Sequence, residues 1–358
     1  MRIELLPRRS PSTVARLLAP LAALLVAFFI AGLILAAMGR SPAAAFDVYV
    51  VQSLADSWAL QQLALKATPL VIIAIGLSFC FRANLWNIGA EGQYIVGAIC
   101  GGWLALATHG SDAGSWVLPA MLILGMIGGA AWALIAAGLK VLFGVSEILT
   151  SLMLVYVAEY LLDYLVRGPW RDPQGFNFPQ TVTFDPAATM PLLGETSLHA
   201  GVIGAVVIVA IAAFVMHWTL FGYRLRVTGA APKAARFAGF VPGATTLAVF
   251  AISGALAGLA GVIEVAASIG QLKPDISPGY GFTAIIVAFL GRLDPIGILV
   301  ASLVMALTIL GGETAQIALR LPFDFTSAFQ GILLIAILAA DSLVTYRLRI
   351  VAGRRVPA

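Results

Sequence analysis

Apolar runs of about 20 residues recur along the whole chain and constrain its fold more than any other feature. A membrane-spanning helix needs about 20 predominantly apolar residues, and only helices and closed barrels satisfy their backbone hydrogen bonds in lipid. Of the 358 residues, 61% are hydrophobic and 11% are charged, against about a quarter charged in an ordinary soluble domain. The sequence therefore predicts an all-α polytopic membrane protein.

About ten transmembrane helices are predicted from these runs, in one transmembrane domain that covers residues 1–358. The first run, Leu17 to Met38, is longer than the ~7–15 apolar residues of a cleaved signal peptide, so it is interpreted as a helix. The predicted spans are 16–38, 60–81, 86–107, 116–139, 145–166, 200–220, 244–267, 280–291, 295–312 and 326–346.

The positions of lysine and arginine predict a topology with both termini in the cytoplasm, because positively charged short loops stay on that side. The residues assigned to the inside are Arg2, Arg8, Arg9, Arg16, Arg82, Lys140, Arg224, Arg226, Lys233, Arg236, Arg292, Arg347, Arg349, Arg354 and Arg355. Those left outside are Arg40, Arg167, Arg171, Lys273 and Arg320. Residues 167–199 then form a long extracytoplasmic loop, for which an ordered docking surface and a simple connector both remain open.

The net charge of +4 does not indicate a nucleic-acid-binding protein, because the basic residues form neither a face nor a tail. Cys80 and Cys100 lie inside apolar runs and are interpreted as small buried hydrophobes. The sequence has no G-x-x-x-x-G-K-[ST] phosphate-binding loop, so the chain is not expected to hydrolyse ATP by that route.

Polar residues interrupt the apolar pattern most sharply in NLWNIGAEGQ, residues 84–93. A charged side chain at the bilayer centre costs roughly 3 kcal/mol on insertion scales, so Glu91, Glu147 and Glu264 should face the protein interior or water. Asn87 and Gln93 lie in the same stretch as Glu91. Hydrogen bonding between helices is the preferred interpretation of these residues, and a substrate pathway is the alternative.

A second helix start that is marked by unusual residues for an apolar chain is SPGYGF, with its proline and glycines. It precedes an apolar run that is too short to span the membrane alone. The topology places NLWNIGAEGQ at the cytoplasmic start of the third span and SPGYGF at the outer start of the eighth. Spans 2–5 and 7–10 would then form an inverted repeat, as in transporters whose broken helices flank the transport pathway.

Three pairs of glycines follow the G-x-x-x-G spacing within predicted spans: Gly97 and Gly101, Gly125 and Gly129, and Gly254 and Gly258. In membranes, small residues at this spacing let helix backbones approach closely. The pattern predicts tight helix packing, with specific dimer contacts as the less favoured alternative.

Residues 221–243 are predicted to form a cytoplasmic loop that carries one short helix, PKAARFA. Pro232 suits a first helical position and Gly239 suits the position after a helix end. Lys233 and Arg236 would share one face of this helix. Docking onto a soluble partner is favoured, although a basic loop that only fixes topology would look similar.

Several blocks together resemble the permease subunits of bacterial ABC importers for nucleosides and simple sugars, a family that also includes ribose and branched-chain amino acid permeases. The blocks are NIGAEGQ at 87–93, SEILTSLMLVY at 146–156, GYRLRVTGAAPKAARFAGF at 222–240, SGALAGLAGVIEV at 253–265 and SPGYGFTAIIVAFLGRLDPIG at 277–297. The sequence departs from the family pattern at Asn84-Leu85-Trp86 and at Val155, where the family often has an asparagine.

The resemblance implies a multi-pass subunit of the bacterial inner membrane that works with two ATP-binding cassette subunits, a second permease and an extracytoplasmic substrate-binding protein. ATP-Mg would bind the partner subunits, and this chain would hold no cofactor or metal and would be no enzyme. The segment 222–240 would be the part that couples to the ATPase. Candidate coupling residues are Gly222, Arg224, Arg226, Gly229, Pro232, Lys233, Arg236, Phe237 and Gly239.

An ATP-driven importer working by alternating access is therefore the predicted function. The candidate residues of the substrate pathway are Trp86, Asn87, Glu91, Gln93, Glu147, Tyr156, Glu264, Tyr280 and Phe282. The alternatives are a proton-coupled secondary transporter that uses Glu91, Glu147 or Glu264, a passive channel, and an intramembrane enzyme. The last is disfavoured by the scattered positions of the three histidines.

Overall fold

A computed structural model describes residues 2–7, 13–322 and 324–351. These residues are predominantly helical, which confirms the all-α polytopic class. The helices are α1 (Thr13–Ala37), α2 (Pro42–Phe46), α3 (Ser57–Arg82), α4 (Ala90–Ala107), α5 (Val117–Phe143), α6 (Glu147–Arg167), α7 (Gly201–Trp218), α8 (Leu220–Ala230), α9 (Pro232–Phe237), α10 (Pro242–Glu264), α11 (Tyr280–Leu290), α12 (Pro295–Leu319) and α13 (Asp324–Thr345). Short π-helical turns cover Asp47–Val51 and Val265–Ile269, and 3₁₀ turns cover Gln52–Leu54 and Pro186–Ala188.

Eight helices within the described residues are long and apolar enough to cross a membrane: α1, α3, α5, α6, α7, α10 with the turn that follows it, α12 and α13. Each predicted span overlaps a helix, but α4 is not among the eight, and α11 has 11 residues. At 1.5 Å per residue α11 extends about 16 Å, roughly half of a ~30 Å hydrocarbon core. The predicted count of ten spans is therefore not confirmed.

The chain divides into two compact units, one formed by Leu54–Leu310 and the other by residues 1–53 and 311–358. The larger unit is built around α10, which packs against α3, α4 and α5. Its core is densest along α3, where every residue from Ala67 to Phe81 is buried. The prediction that residues 1–358 form one transmembrane domain stays a prediction.

In the smaller unit α1 packs against α13. A buried apolar cluster there includes Leu35, Val48 and Tyr49, and the Tyr49 hydroxyl lies 3.3 Å from the Thr326 hydroxyl. Strand β1 (Arg2–Pro7) pairs antiparallel with β2 (Tyr346–Val351). This pairing was not predicted, because hydropathy identifies apolar helices and carries no information on which chain ends meet.

Glycines form the contact surface among α4, α5 and α10. A β-carbon added to Gly258 would overlap the carbonyl oxygen of Gly125 and lie 3.1 Å from the α-carbon of Gly129. One added to Gly97 would overlap Gly258, and one added to Gly254 would overlap Gly129. The predicted close packing is confirmed, since these backbones approach at distances that only glycine permits.

The long loop after α6 is ordered by backbone hydrogen bonds to the segment that follows α10. The amide of Thr181 donates to the carbonyl of Leu272 at 3.0 Å, and the amide of Phe184 donates to that of Gly270 at 2.8 Å. A third bond joins the Met190 amide to the Ala266 carbonyl at 2.9 Å. These contacts favour an ordered cap over a loose connector, and a docking role for residues 167–199 stays a prediction.

Candidate functional site

The start of α4 is held by a buried amide network around Asn87. The chain leaves α3 at Arg82 and runs without helical structure through residues 85–89 before α4 begins. Asn87 is fully buried; its Nδ2 donates to Gln93 Oε1 at 2.9 Å and to Ser253 Oγ at 3.0 Å. Its Oδ1 accepts from Gln93 Nε2 at 2.9 Å and from the Gly89 amide at 3.1 Å. Both polar ends of Asn87 are thus engaged within the protein, which favours the structural interpretation.

Glu91 joins the starts of α4 and α11. Its side chain is 3% exposed, and its Oε2 accepts a hydrogen bond from the Gly281 amide at 2.5 Å. A β-carbon on Gly281 would overlap the Glu91 backbone. The prediction that the two helix starts lie at opposite membrane surfaces is therefore wrong, because they touch. The Gly281 amide lies in the first turn of α11 and has no partner within that helix, so the Glu91 side chain satisfies it.

The two helices run in opposite directions from this contact. α11 ends beside the C-terminus of α3, where Phe289 stacks on Phe81 with ring centroids 5.1 Å apart and Arg82 Nε donates to the Leu293 carbonyl at 3.0 Å. α4 runs towards the loop between α6 and α7, where the Gly110 amide donates to Asp185 Oδ2 at 2.8 Å. This local geometry fits an inverted pair of broken helices; the repeat over the full spans 2–5 and 7–10 stays a prediction.

Substitution of Asn87 tests the structural interpretation. We expect Asn87→Ala to leave the buried amide of Gln93 without its partner, at a cost of about 1–3 kcal/mol, and to lower the thermal stability of the purified protein. Gln174→Ala provides the control, because Gln174 is exposed in the loop between α6 and α7. A thermal midpoint that changes equally in the two variants would contradict the network's structural role.

Glu147, at the start of α6, forms an ion pair with Lys140. The Lys140 Nζ lies 2.5 Å from Glu147 Oε2, and the Glu147 side chain is 9% exposed. One turn later, Ser151 Oγ accepts from the Ile88 amide at 3.2 Å. These contacts tie α6 to residues 84–89 and give Glu147 a structural partner.

The predicted aromatic residues do not form one group. Trp86 stacks on Phe289 with ring centroids 5.8 Å apart and also contacts Phe81. Its ring therefore packs against the C-terminal end of α11. Tyr156 is 50% exposed on α6, and Phe282 is 40% exposed on α11. Neither the amide network around Asn87 nor the lining of the polar pocket described next includes Trp86, Tyr156 or Phe282.

A polar pocket of about 250 Å³ brings together two of the predicted pathway residues, Glu264 and Tyr280. It is completed by residues from α3, from the end of the outer loop and from the segment after α10. The lining residues are Gln62, Leu65, Lys66, Ser197, His199, Glu264, Ala267, Ser268 and Tyr280.

Sequence reasoning missed the contribution of His199, Lys66 and Gln62 to this pocket. His199 was interpreted only as one of three scattered histidines, and in the folded chain it is 2% exposed. Burial lowers the pKa of His199 to about 4, so its ring is neutral at pH 7. The only signal in the sequence was the polar spacing Gln62-x-x-x-Lys66 at the start of an apolar span, which places both residues on one helix face.

The segment 221–243, which was predicted to be cytoplasmic, is more helical than predicted. Residues Leu220–Ala230 form α8, which begins where Thr219 Oγ1 accepts from the Gly222 amide at 3.3 Å. The predicted short helix is confirmed as α9, Pro232–Phe237, and Gly239 follows it with φ of 81°. The segment is therefore a pair of helices and not a loop.

The basic residues of this segment divide into two groups. Arg224 Nε donates to Thr245 Oγ1 at 2.8 Å and its Nη2 donates to the Val241 carbonyl at 3.1 Å, so it fixes α8 to the start of α10. Arg226 bonds to its own helix at the Gly222 carbonyl. The side chains of Lys233, Arg236 and Phe237 are exposed, Phe237 by 93%. Arg226 is exposed as well, so among the described basic residues of the segment Arg226, Lys233 and Arg236 can meet a partner, together with Phe237.

The end of α8 touches the end of α3. A β-carbon on Gly229 would overlap the carbonyl oxygen of Arg82, so the backbones are in direct contact. Arg82 is also 3.8 Å from Asp294, which in turn lies 3.3 Å from His217. The helix pair α8–α9 is thus packed against the point where the chain enters residues 84–89.

Known proteins match this chain over most of its length. The family described as "Branched-chain amino acid transport system / permease component" matches residues 59–338. The glucose ABC transporter permease protein TsgB13 of Haloferax volcanii is 34% identical over 99% of this chain and 96% of its own length. The guanosine ABC transporter permease protein NupP of Bacillus subtilis is 27% identical over 95% and 97%. The nucleoside ABC transporter permease protein NupB of Lactococcus lactis is 26% identical over 81% and 82%.

The polytopic helical fold, with eight helices in the described residues that are long and apolar enough to cross a membrane, defines an integral membrane protein, and its relatives are transport subunits. The chain belongs to the family of branched-chain amino acid transport system permease components, and it is a permease of the ABC transporter class.

Proposed function

We propose that this permease imports nucleosides or simple sugars, driven by ATP that partner subunits bind and hydrolyse. The substrate class is supported by the relatives, whose names assign them glucose, guanosine and nucleosides. The energy source is supported by the same relatives, which are named as ABC transporter permeases, and the lack of a phosphate-binding loop in this sequence favours ATP binding by partner subunits. Its partners would be two ATP-binding cassette subunits carrying ATP-Mg, a second permease that is the same or a different chain, and an extracytoplasmic substrate-binding protein.

The contact between Gly229 and Arg82 is the observation that carries the mechanism. A partner that docks on α9 moves α8, and α8 lies against the end of α3. From there residues 84–89 lead to the Glu91–Gly281 contact, where α4 and α11 begin. Alternating access would follow when ATP changes the partner contacts, because a ligand shifts a conformational equilibrium only through its different affinities for the two states.

The orientation in the inner membrane follows the positive-inside rule, with both termini cytoplasmic. The pairing of β1 with β2 brings the two chain ends together, as an arrangement with both termini on one side requires. Among the acidic residues, Glu91 and Glu147 each have a structural partner, which disfavours a proton relay through them.

Transport by the reconstituted complex tests the proposal. The chain is co-purified with the products of neighbouring genes and placed in proteoliposomes with ATP on the ATPase side. Uptake of labelled guanosine, D-glucose and L-leucine is then measured. We expect ATP-dependent uptake of guanosine or glucose. Uptake that collapses with the proton gradient and ignores ATP would establish a secondary transporter, and ATP-independent equilibration would establish a channel.

A further inference from the structure

His199 holds a buried hydrogen-bond donor that the described part of the protein does not use. Its Nδ1 accepts a hydrogen bond from the Gly201 amide at 3.1 Å, so the neutral ring carries its proton on Nε2. Nε2 is buried and has no hydrogen-bond partner among the described residues. A buried donor left unpaired costs about 1–3 kcal/mol, so an acceptor that enters the pocket would recover that energy.

One edge of the His199 ring is covered by the start of α7. A β-carbon on Gly201 would lie 2.7 Å from His199 Nδ1 and 2.8 Å from Cε1, so that edge of the ring is covered by the start of α7. His199 nevertheless lines the pocket. It therefore meets the pocket with its other edge, which carries Nε2.

The other side of the pocket supplies acceptors. Glu264, at the end of α10, contributes a carboxylate, and Ser268 lies one turn further on and hydrogen-bonds to it. Lys66 on α3 is close enough to attract the Glu264 charge. The remaining polar groups of the lining are amide, hydroxyl and neutral imidazole groups, so the pocket suits a ligand that forms hydrogen bonds and carries no net charge.

The size of the pocket and its aromatic wall further limit the ligands that fit it. Its volume of about 250 Å³ is below the ~300–1,000 Å³ typical of pockets for drug-sized ligands, so it suits a single small ring. Tyr280 is 3% exposed and packs edge-on against Tyr94 with centroids 6.2 Å apart, which gives the pocket a fixed aromatic wall. Each hydroxyl of such a ring donates one hydrogen bond and accepts two, so neighbouring hydroxyls can satisfy His199 and Glu264 together.

We propose that this pocket is an outer subsite that binds the hydroxyl-bearing ring of a neutral sugar or nucleoside, with His199 Nε2 donating to one hydroxyl and Glu264 accepting from its neighbour. The inference rests on the proposed import function, which brings the ligand from the side of Ser197. It assigns a binding role to His199, Glu264 and Lys66 that is separate from the structural contacts of Asn87 and Glu91.

A cysteine at the rim of the pocket reports on its occupancy. Ser197 is exposed and lines the pocket, so Ser197→Cys should react with a membrane-impermeant maleimide. The native Cys80 is buried and Cys100 is partly buried, and the unsubstituted chain measures their background. Ser115→Cys, exposed in the turn before α5 and absent from the pocket lining, is the matched control. Labelling is measured on the permease–ATPase complex in proteoliposomes with millimolar D-glucose, guanosine or L-leucine outside.

We expect glucose or guanosine to slow labelling of Ser197→Cys, L-leucine to have no effect, and Ser115→Cys to react at one rate throughout. Adding His199→Leu removes the donor and should raise the ligand concentration needed for protection about tenfold. His199→Gln retains a donor and should restore much of the protection. If His199→Leu fails to assemble, Gln62→Leu removes another polar group from the pocket lining and should likewise weaken protection.

Three outcomes would overturn the subsite: protection by L-leucine as strong as that by glucose or guanosine, protection unchanged in His199→Leu, or no protection by any of the three compounds. ATP-driven uptake is measured on the same preparations and separates the two proposals. Uptake of guanosine or glucose without protection rejects the subsite and leaves the importer standing. Uptake that does not depend on ATP rejects the importer whatever the labelling shows.

Discussion

Replacing Gly258 by leucine is expected to abolish the folded permease. A side chain at this position would overlap the backbone of Gly125 and crowd that of Gly129, and the helices that carry these residues form the most extensive contact in the larger unit. Ordinary overpacking costs about 1–3 kcal/mol, because neighbouring side chains can move. Here the obstacles are backbone atoms of α5, so the helices must separate. The measurement is the yield of monodisperse protein from detergent, followed by size-exclusion chromatography.

Gly138→Leu is the matched control for this substitution. Gly138 also lies in a membrane helix, α5, but a β-carbon added there would meet nothing within 4 Å. Leucine favours a helix more than glycine by up to ~1 kcal/mol, so the control variant should fold at least as well as the parent. Equal yields from Gly258→Leu and Gly138→Leu would show that the glycine contact among α4, α5 and α10 is not required.

The elements that were predicted correctly are those whose structure depends on residues close together in the sequence. An apolar run of about 20 residues can be stable only as a helix in lipid, so hydropathy placed a helix at each predicted span. Proline at a first helical position and glycine after a helix end define α9 without reference to the rest of the chain. The G-x-x-x-G spacing places two glycines on one helix face, which is sufficient to predict that some helix packs there.

Contacts between distant segments could not be predicted in the same way. The carboxylate of Glu91 bonds to the backbone amide of Gly281, 190 residues away. Because every residue except proline has a backbone amide, the sequence does not indicate which amide Glu91 contacts. His199 looked unremarkable because its burial depends on how the outer loop lies against α10.

Residues 221–243 were predicted to be a loop with one short helix, and α8 was missed. Gly222 and Gly229 both lie in α8 and allow close backbone approaches, to Met216 and to Arg82. A glycine chosen for a turn and one chosen for close packing look identical in a sequence. The two kinds of glycine can be distinguished only when the structure shows which backbone packs against each one.

The double substitution Arg236→Ala and Phe237→Ala is expected to separate the permease from its ATPase. Both side chains are exposed on α9, and Phe237 at 93% has no packing role within the described chain. An aromatic anchor at an interface commonly contributes ~2 kcal/mol or more, equivalent to about a 30-fold loss of affinity. Co-purification of the ATPase and ATP-driven uptake should both fall, while the thermal stability of the permease alone stays unchanged.

Arg224→Ala should behave in the opposite way, although it removes a charge from the same segment. Arg224 bonds to Thr245 and to the Val241 carbonyl, so its loss should lower the stability of the permease itself. Comparing the two variants separates residues that contact a partner from residues that shape the segment. Unchanged co-purification and uptake in the Arg236 and Phe237 double variant would contradict docking on α9.

Phe176→Ala gives the comparison that also tests the orientation of the chain. Phe176 is as exposed as Phe237, at 93%, but lies in the loop between α6 and α7, on the side assigned to the outside. Its loss should leave ATPase association intact, and any effect should fall on the substrate-binding protein. If Phe176→Ala released the ATPase while the α9 variant did not, the positive-inside assignment would be reversed, and the polar pocket beside Ser197 would open to the cytoplasm.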